Sequence, residues 1–212
     1  MSSLFKNHQY ILVNQIKEML EIVIDWETGN KYEILDEDKN KIGFAAEKSG
    51  GIFRKILRNI FRSHRHLIID VWDNNPIPVY KGIRPFYFFF SDLKVFTMQR
   101  NSVGEIKTRF GILKRKYDLI DGRGNVFARI ESPRWRLWTF KIFNAIGNEA
   151  GVISKKWGGV LKEALTDADK FVIDLSKDQW TEDQKAVLLY ACLSIDLDFF
   201  EDNSGSLYSI RD

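Results

Sequence analysis

The stretch from Thr181 to Glu201, TEDQKAVLLYACLSIDLDFFE, limits what this chain can fold into more than any other. It opens with a capping box, Thr181 as N-cap and Gln184 three residues on. Glu182 and Asp183 stand in the first turn, where the helix dipole favours carboxylates. From Ala186 to Ile195 only Ser194 is strongly polar, and these positions fall on every side of a helix. A helix that is apolar all round must be wrapped by protein or by lipid. The apolar run is far short of the roughly 18 to 20 residues that a bilayer core demands, and Asp196, Asp198 and Glu201 would enter with it. Protein is the wrapping, so the rest of the chain must supply a nearly closed shell. The acidic C-terminal end is unfavourable for the dipole and predicts cationic partners on that shell. Asp202-Asn203-Ser204-Gly205 ends the helix, and the remainder reads as a tail.

The shell is written in a repeated grammar. After a short amphipathic lead-in, Tyr10 to Lys17, the stretch Met19–Trp26 alternates, Glu27-Thr28-Gly29-Asn30 turns, and Lys31–Leu35 alternates again. Asp36–Asn40, Asp73-Asn74-Asn75, Asn101-Ser102, Asp121–Asn125 and Asn144–Asn148 punctuate further alternating runs in the same way. Each unit is strand, Gly/Asn/Asp turn, strand, the mark of successive hairpins. About a dozen strands follow by this template, which argues for an antiparallel barrel or sandwich. A sandwich would leave half of the terminal helix wet; a barrel closed around it would not, and closure also removes exposed edges. With 212 residues, 44% of them hydrophobic, the chain can bury one sizeable core, and no linker-like stretch divides it. The expectation is a single domain over 1–212, mainly β: barrel about 10–178, central helix 181–201, tail 202–212.

Composition removes several function classes. The lone cysteine, Cys192, lies in the wrapped helix and excludes an intramolecular disulfide framework and a Cys-based zinc site; a reducing, cytoplasmic setting fits. The N-terminus, MSSLFKNHQYILVNQ, lacks a basic region followed by a long apolar run, so no secretory signal is read there. His8, His64 and His66 form no metal-spaced set, and no phosphate loop, nucleophile elbow or HExxH motif occurs. The chain is not read as an enzyme. Net charge is only +3, so a polyanion-binding role depends on where the charges lie.

They concentrate in SGGIFRKILRNIFRSHRH, from Ser49 to His66. At about 100° per residue, Ile52, Phe53, Ile56, Leu57, Ile60 and Phe61 share one half of a helix, and Arg54, Lys55, Arg58, Arg62 and Arg65 crowd the other. Such a segment suits the interface of an anionic leaflet, although an ordinary surface helix docked on the barrel by its apolar face has the same pattern. The absence of acidic residues from Gly50 to Leu67 favours a membrane or another polyanion. Phe86–Phe90 reads as a fully buried strand, with interfacial aromatics as the alternative. Arg134-Trp135-Arg136-Leu137-Trp138 suits headgroups or the sealing of a barrel end. Basic residues interleaved with aromatics, there and in RFGILKRKY at Arg109–Tyr117, also fit nucleic acid, without any recognised nucleic-acid motif beside them.

GVISKKWGGVLKEALTDADKFVIDL from Gly151, followed by AVLLYACLSIDLDFFE, resembles the C-terminal signature of the phospholipid scramblase family; ETGNKYEILDEDKNKIGFAAE at Glu27–Glu47 resembles its N-terminal block. The resemblance runs from about Tyr10 to Glu201. It implies the fold shared with Tubby-like and LURP-one-related domains, a twelve-stranded barrel around a C-terminal hydrophobic helix. It also implies calcium-dependent lipid movement between leaflets, whereas binding of anionic phospholipid is the reading of the basic amphipathic segment itself. The chain departs from the family where cysteine-rich runs are replaced by Arg84-Pro85-Phe86-Tyr87-Phe88-Phe89-Phe90 and by Pro133–Trp138. The family's proposed calcium segment corresponds to Asp167–Asp178, where Asp167, Asp169 and Asp178 keep carboxylates at the first, third and twelfth positions. Phe171 and Val172 break the EF-hand pattern, and a solvated turn leading into a strand fits the same residues. The expectation is therefore a scramblase-like, cytoplasmic, peripherally membrane-associated protein that touches lipid through Ile52–Arg65. A soluble barrel that binds a phosphoinositide, nucleic acid or protein without transport is the alternative.

Overall fold

A computed structural model describes residues 4–5, 8–16, 28–48, 66–87, 90–136, 138–155 and 170–199. Twelve strands and one helix follow in order: β1 (Tyr10–Ile16), β2 (Thr28–Leu35), β3 (Lys41–Lys48), β4 (Leu67–Asp73), β5 (Pro78–Arg84) and β6 (Asp92–Thr97). Then come β7 (Ser102–Arg109), β8 (Lys114–Asp121), β9 (Val126–Pro133), β10 (Thr139–Asn144), β11 (Glu149–Ser154), β12 (Lys170–Asp174) and α1 (Glu182–Phe199). Each strand pairs antiparallel with its sequence neighbours, and β1 pairs with β12 to close the barrel, Tyr10 opposite Asp174 and Leu12 opposite Val172.

The helix fills the barrel. Every residue from Ala186 to Leu197 is at most 3% exposed, as its all-round apolar sequence requires. The wall meets it with alternate side chains, among them Ile11 and Val13 of β1, Ile69 and Val71 of β4 and Ile130 of β9. Two wall glycines make room: a Cβ on Gly82 would collide with the Tyr190 ring, and one on Gly104 with Val187 and the Ile120 carbonyl. The Tyr190 hydroxyl donates to the Ile69 carbonyl at 3.1 Å, so the one polar group of that ring is satisfied.

Because every wall pairing is antiparallel, the connections alternate between the two ends of the barrel, and the ends are built differently. One end, here the turn end, holds the helix N-terminus and five short hairpin loops. These loops share one device: the side chain at the first position accepts the backbone N–H four residues on. Asp36 accepts from Asn40 at 2.7 Å, Asp73 from Ile77 at 3.0 Å and Thr97 from Asn101 at 3.2 Å; Asp121 accepts from Asn125 at 2.8 Å and Asn144 from Asn148 at 2.9 Å. In all five the fourth residue takes positive φ: Lys39 (67°), Pro76 (28°), Arg100 (68°), Gly124 (90°) and Gly147 (90°). The capping box is made in both directions, Thr181 N–H to Gln184 Oε1 at 2.9 Å and Gln184 N–H to Thr181 Oγ1 at 3.3 Å. Leu4 and Phe5 close this end: the Phe5 N–H donates to Glu182 Oε1 at 2.7 Å, and the Lys185 ammonium donates to the carbonyls of Phe5 and His8 at 3.0 and 2.8 Å.

Three local expectations change. Tyr10–Lys17 is not a lead-in, since β1 occupies Tyr10–Ile16; its run of apolar residues arises because Leu12 packs outward against Val172 while Ile11 and Val13 face the core. Thr28-Gly29-Asn30 is not a turn but the start of β2, where the Asn30 amide bonds Glu47 at 3.1 Å and Gln15 at 3.0 Å; strand neighbours use polarity that reads as a turn in sequence. Met19–Trp26 lies outside the described residues. Of Phe86–Phe90, residues 88–89 are also outside, and the described remainder is not a buried strand: β5 ends at Arg84, Pro85 has no N–H to continue a ladder, and Phe86 and Phe90 are 42% and 48% exposed.

Candidate functional site

The other end, the loop end, holds the helix C-terminus and the other connections, and its side chains form two layers. The inner layer neutralises the helix's acidic terminus. Arg84, 1% exposed, bonds Asp198 through Nη1 at 2.6 Å, and Lys155 stands 3.3 Å from Asp196, which also accepts from the Tyr32 hydroxyl at 2.9 Å. Arg115 lays its guanidinium over Phe199, 4.2 Å from the ring centroid. These are the cationic partners expected from an acidic helix C-terminus. Burial pulls the Arg115 pKa below its ordinary value, and the nearby Arg134 adds to the effect. Desolvation pushes the Tyr117 phenol well up, with Asp198 the next cause. It does the same to the Cys192 thiol, with Asp196 second, so Cys192 is an inert core residue.

The outer layer is apolar and exposed. Phe110, Ile112 and Leu113 of the β7–β8 loop are 74%, 74% and 66% exposed, and Trp135 of the β9–β10 loop is 71% exposed. Trp138, Phe86 and Phe90 stand on the same end, partly open to solvent. The two loops are bonded to each other: the Arg134 N–H donates to the Leu113 carbonyl at 3.0 Å, and the Arg134 guanidinium to the Gly111 carbonyl at 2.9 Å. Residues 85–91, 110–113 and 134–138 contain no Asp or Glu. By contrast, the turn end carries Asp36, Glu37, Asp38, Asp73 and Asp121 in its loops.

The outward wall between the ends is charged, with Lys114 paired to Glu131 at 2.8 Å, Arg109 to Asp118 at 2.8 Å and Lys141 to Glu149 at 2.7 Å. A barrel that crosses a membrane with its strands presents an apolar outer band, and this wall is its inverse. Among the described residues, no helix is long and apolar enough to cross a membrane.

The residues singled out from sequence fall unevenly on this frame. Ile52 to Arg65 lies outside the described residues, but β3 ends at Lys48 and β4 begins at Leu67, both at the loop end, so the segment is bracketed by that rim. Arg134, Trp135 and Trp138 are in the outer layer. Asp167 and Asp169 lie outside the described residues. Asp178 is at the turn end, where it accepts from the Asn144 amide at 2.8 Å. Among the described residues no group of three or more His, Cys, Asp or Glu side chains is placed to hold a metal ion. Sequence reading missed the segregation of the two kinds of connection, although the Asp, Asn or Thr that opens every second connection, at 36, 73, 97, 121 and 144, carried the signal.

The sequence model of the Scramblase family matches residues 2–202. The chain is 27% identical to a Saccharomyces cerevisiae protein named Altered inheritance rate of mitochondria protein 25, over 93% of this chain and 72% of that protein. It is 29% identical to human Phospholipid scramblase 2, over 90% of this chain and 67% of that one. It is 23% identical to a phospholipid scramblase family protein of Schizosaccharomyces pombe, of which it covers 59%. Among solved structures, an Arabidopsis thaliana protein aligns over 90% of this chain with a TM-score of 0.48 at 14% identity.

Proposed function

This chain belongs to the Scramblase family, and from that premise we propose that it is a peripheral membrane protein that binds anionic phospholipid with its loop end and promotes exchange of lipid between leaflets. One observation carries the lipid-binding part: among the described residues, seven of the ten exposed large apolar side chains, and all five of the aromatic ones, lie on one end of the barrel, on connections without acidic residues. Aromatic rings at the headgroup level and basic residues close to an anionic surface are what an interfacial protein needs, each basic residue contributing about 1 kcal/mol. The sequence between β3 and β4, Ile52–Arg65, has five Lys or Arg and no acid, and in this proposal it adds to the attraction.

The plug limits how lipid can move. Headgroups cannot pass through the barrel, because α1 fills it from Ala186 to Leu197. Exchange in this reading follows from disturbance of the leaflet beneath the docked rim, which lowers the cost of bringing a headgroup into the acyl region. The basic rim supplies the charge complementarity itself, so attachment does not require calcium. Co-sedimentation with vesicles tests binding: the protein pellets with phosphatidylserine-containing vesicles in the presence of a chelator and stays in solution with phosphatidylcholine alone. Equal pelleting with both overturns the electrostatic part. Loss of fluorescent lipid from the outer leaflet of reconstituted vesicles tests exchange, and rates equal to those of empty vesicles overturn it. A salt-dependent gel shift with single-stranded DNA that lipid does not compete away would instead favour a nucleic-acid module, since aromatics among basic residues also stack on bases.

A further inference from the structure

We infer that the β7–β8 and β9–β10 loops form one preassembled apolar wedge, led by Ile112, Leu113 and Trp135, that enters the acyl boundary of an anionic bilayer while Arg134 and Arg136 stay among the headgroups. The inference rests on the lipid-binding reading above and gives it a point of entry. Large apolar side chains scattered singly on a surface need no explanation, but contiguous ones exposed on two bonded loops do. Phe110, Ile112, Leu113 and Trp135 are each at least 66% exposed, while the barrel buries nearly every large apolar chain of its inner wall.

The wedge is held in shape from below. Arg134 ties the two loops by its N–H and its guanidinium, as described. The Arg136 N–H closes a turn on the Pro133 carbonyl at 3.0 Å, and the Ser132 hydroxyl donates to the Thr139 carbonyl at 2.7 Å. β8 and β9 pair up to the loop bases, Lys114 opposite Pro133. Entry therefore orders little that is not already ordered, which keeps the entropic cost of binding low.

The charge around the wedge selects its occupant. Arg115, Arg134 and Arg136 surround or underlie it, 109–117 holds no acidic residue, and just below them Arg109 and Lys114 pair with Asp118 and Glu131 on the wall. A two-fold dimer through this face would set those like charges against one another, because such an interface joins the same patch of both copies. An anionic lipid surface complements both the apolar tip and its basic collar.

The test places a single environment-sensitive fluorophore on the full chain through Ile112→Cys, with Ile146→Cys as its counterpart on the turn end, where Ile146 is 81% exposed. Native Cys192 is 0% exposed and does not compete for label. With phosphatidylserine-containing vesicles, the label at position 112 shifts to the blue and is quenched by nitroxide-bearing lipid; the label at position 146 does neither. The triple variant Ile112→Ser, Leu113→Ser, Trp135→Ser lowers vesicle partitioning about tenfold or more. A protein that still pellets with vesicles while position 112 stays unshifted overturns the wedge and leaves lipid binding standing. No pelleting at all overturns both. A blue-shifted position 112 before any vesicle is added, with a dimeric mass in solution, assigns the face to a second copy and overturns the wedge.

Discussion

The two ends of this barrel face the same solvent with opposite construction. At the turn end, five hairpins close on side chains that bond their own backbone, and the helix N-terminus is capped in both directions and covered by Phe5. At the loop end, aromatic side chains stand exposed on connections of four residues and more, and order comes from a layer of charge just beneath them. Loops that satisfy their own polar groups add stability and offer little to a partner. Loops that leave apolar surface uncovered add little stability and are available for contact.

The largest expected effect would break this division if it failed to appear. Arg84→Met removes the buried guanidinium that meets Asp198 at 2.6 Å, and urea unfolding should record a loss of about 3 kcal/mol. The inner layer of the loop end is thus structural even though its outer layer is not. Thr181→Ala deletes one arm of the capping box at the turn end and lowers stability by about 1 kcal/mol, with vesicle pelleting unchanged. A sharper test uses the shared loop device at two positions. Gly124→Ala forces a side chain into φ of 90° and costs about 1 kcal/mol, whereas Lys39→Gly relieves the same strain at 67° and gains up to about 1 kcal/mol. Thermal melts of the two variants should move in opposite directions.

On the outer rim, Trp135→Ser leaves the melting transition within about 0.5 kcal/mol of the parent and weakens vesicle binding, the reverse of Thr181→Ala. The smallest effect is one of pH. Lys141 and then Lys177 hydrogen-bond Glu149 at the turn end and hold its pKa down to about 2, from an ordinary 4.5. A depressed carboxylate contributes stability that is present above its unfolded pKa and is lost as pH falls through the folded one. Glu149→Gln should therefore remove a small difference in stability between pH 5 and pH 2, no more than about 1 kcal/mol because all three groups are solvated.

Much of this architecture was legible in the sequence because its signals are local. The plug is visible from Ala186–Ile195 alone, and the cap from Thr181 and Gln184. The need for cations around Asp196 and Asp198 follows from the dipole, though not that Arg84, Lys155 and Arg115 would meet it, since strand register decides which inward positions share a layer. The same ignorance of register hid β1, whose two-sided burial erases alternation, and the start of β2, whose Asn30 bonds a neighbour on β3. The aromatic run after Pro85 misled because composition alone does not distinguish a buried strand from a greasy rim. The outer wedge escaped for a related reason: Phe110–Leu113 and Trp135 become one feature only when β8 and β9 bring them together.

The plug also has a place in time. The staves of this barrel leave the ribosome before the bung they are shaped around, and the first stave cannot meet the last until β12 has been made. Contacts such as Tyr32 to Asp196 and Phe5 to Glu182 join residues more than 160 positions apart, so the inward apolar rows of the strands stay unsheltered until the helix has been made. Truncation before residue 182 should yield an aggregating chaperone client in place of a smaller barrel.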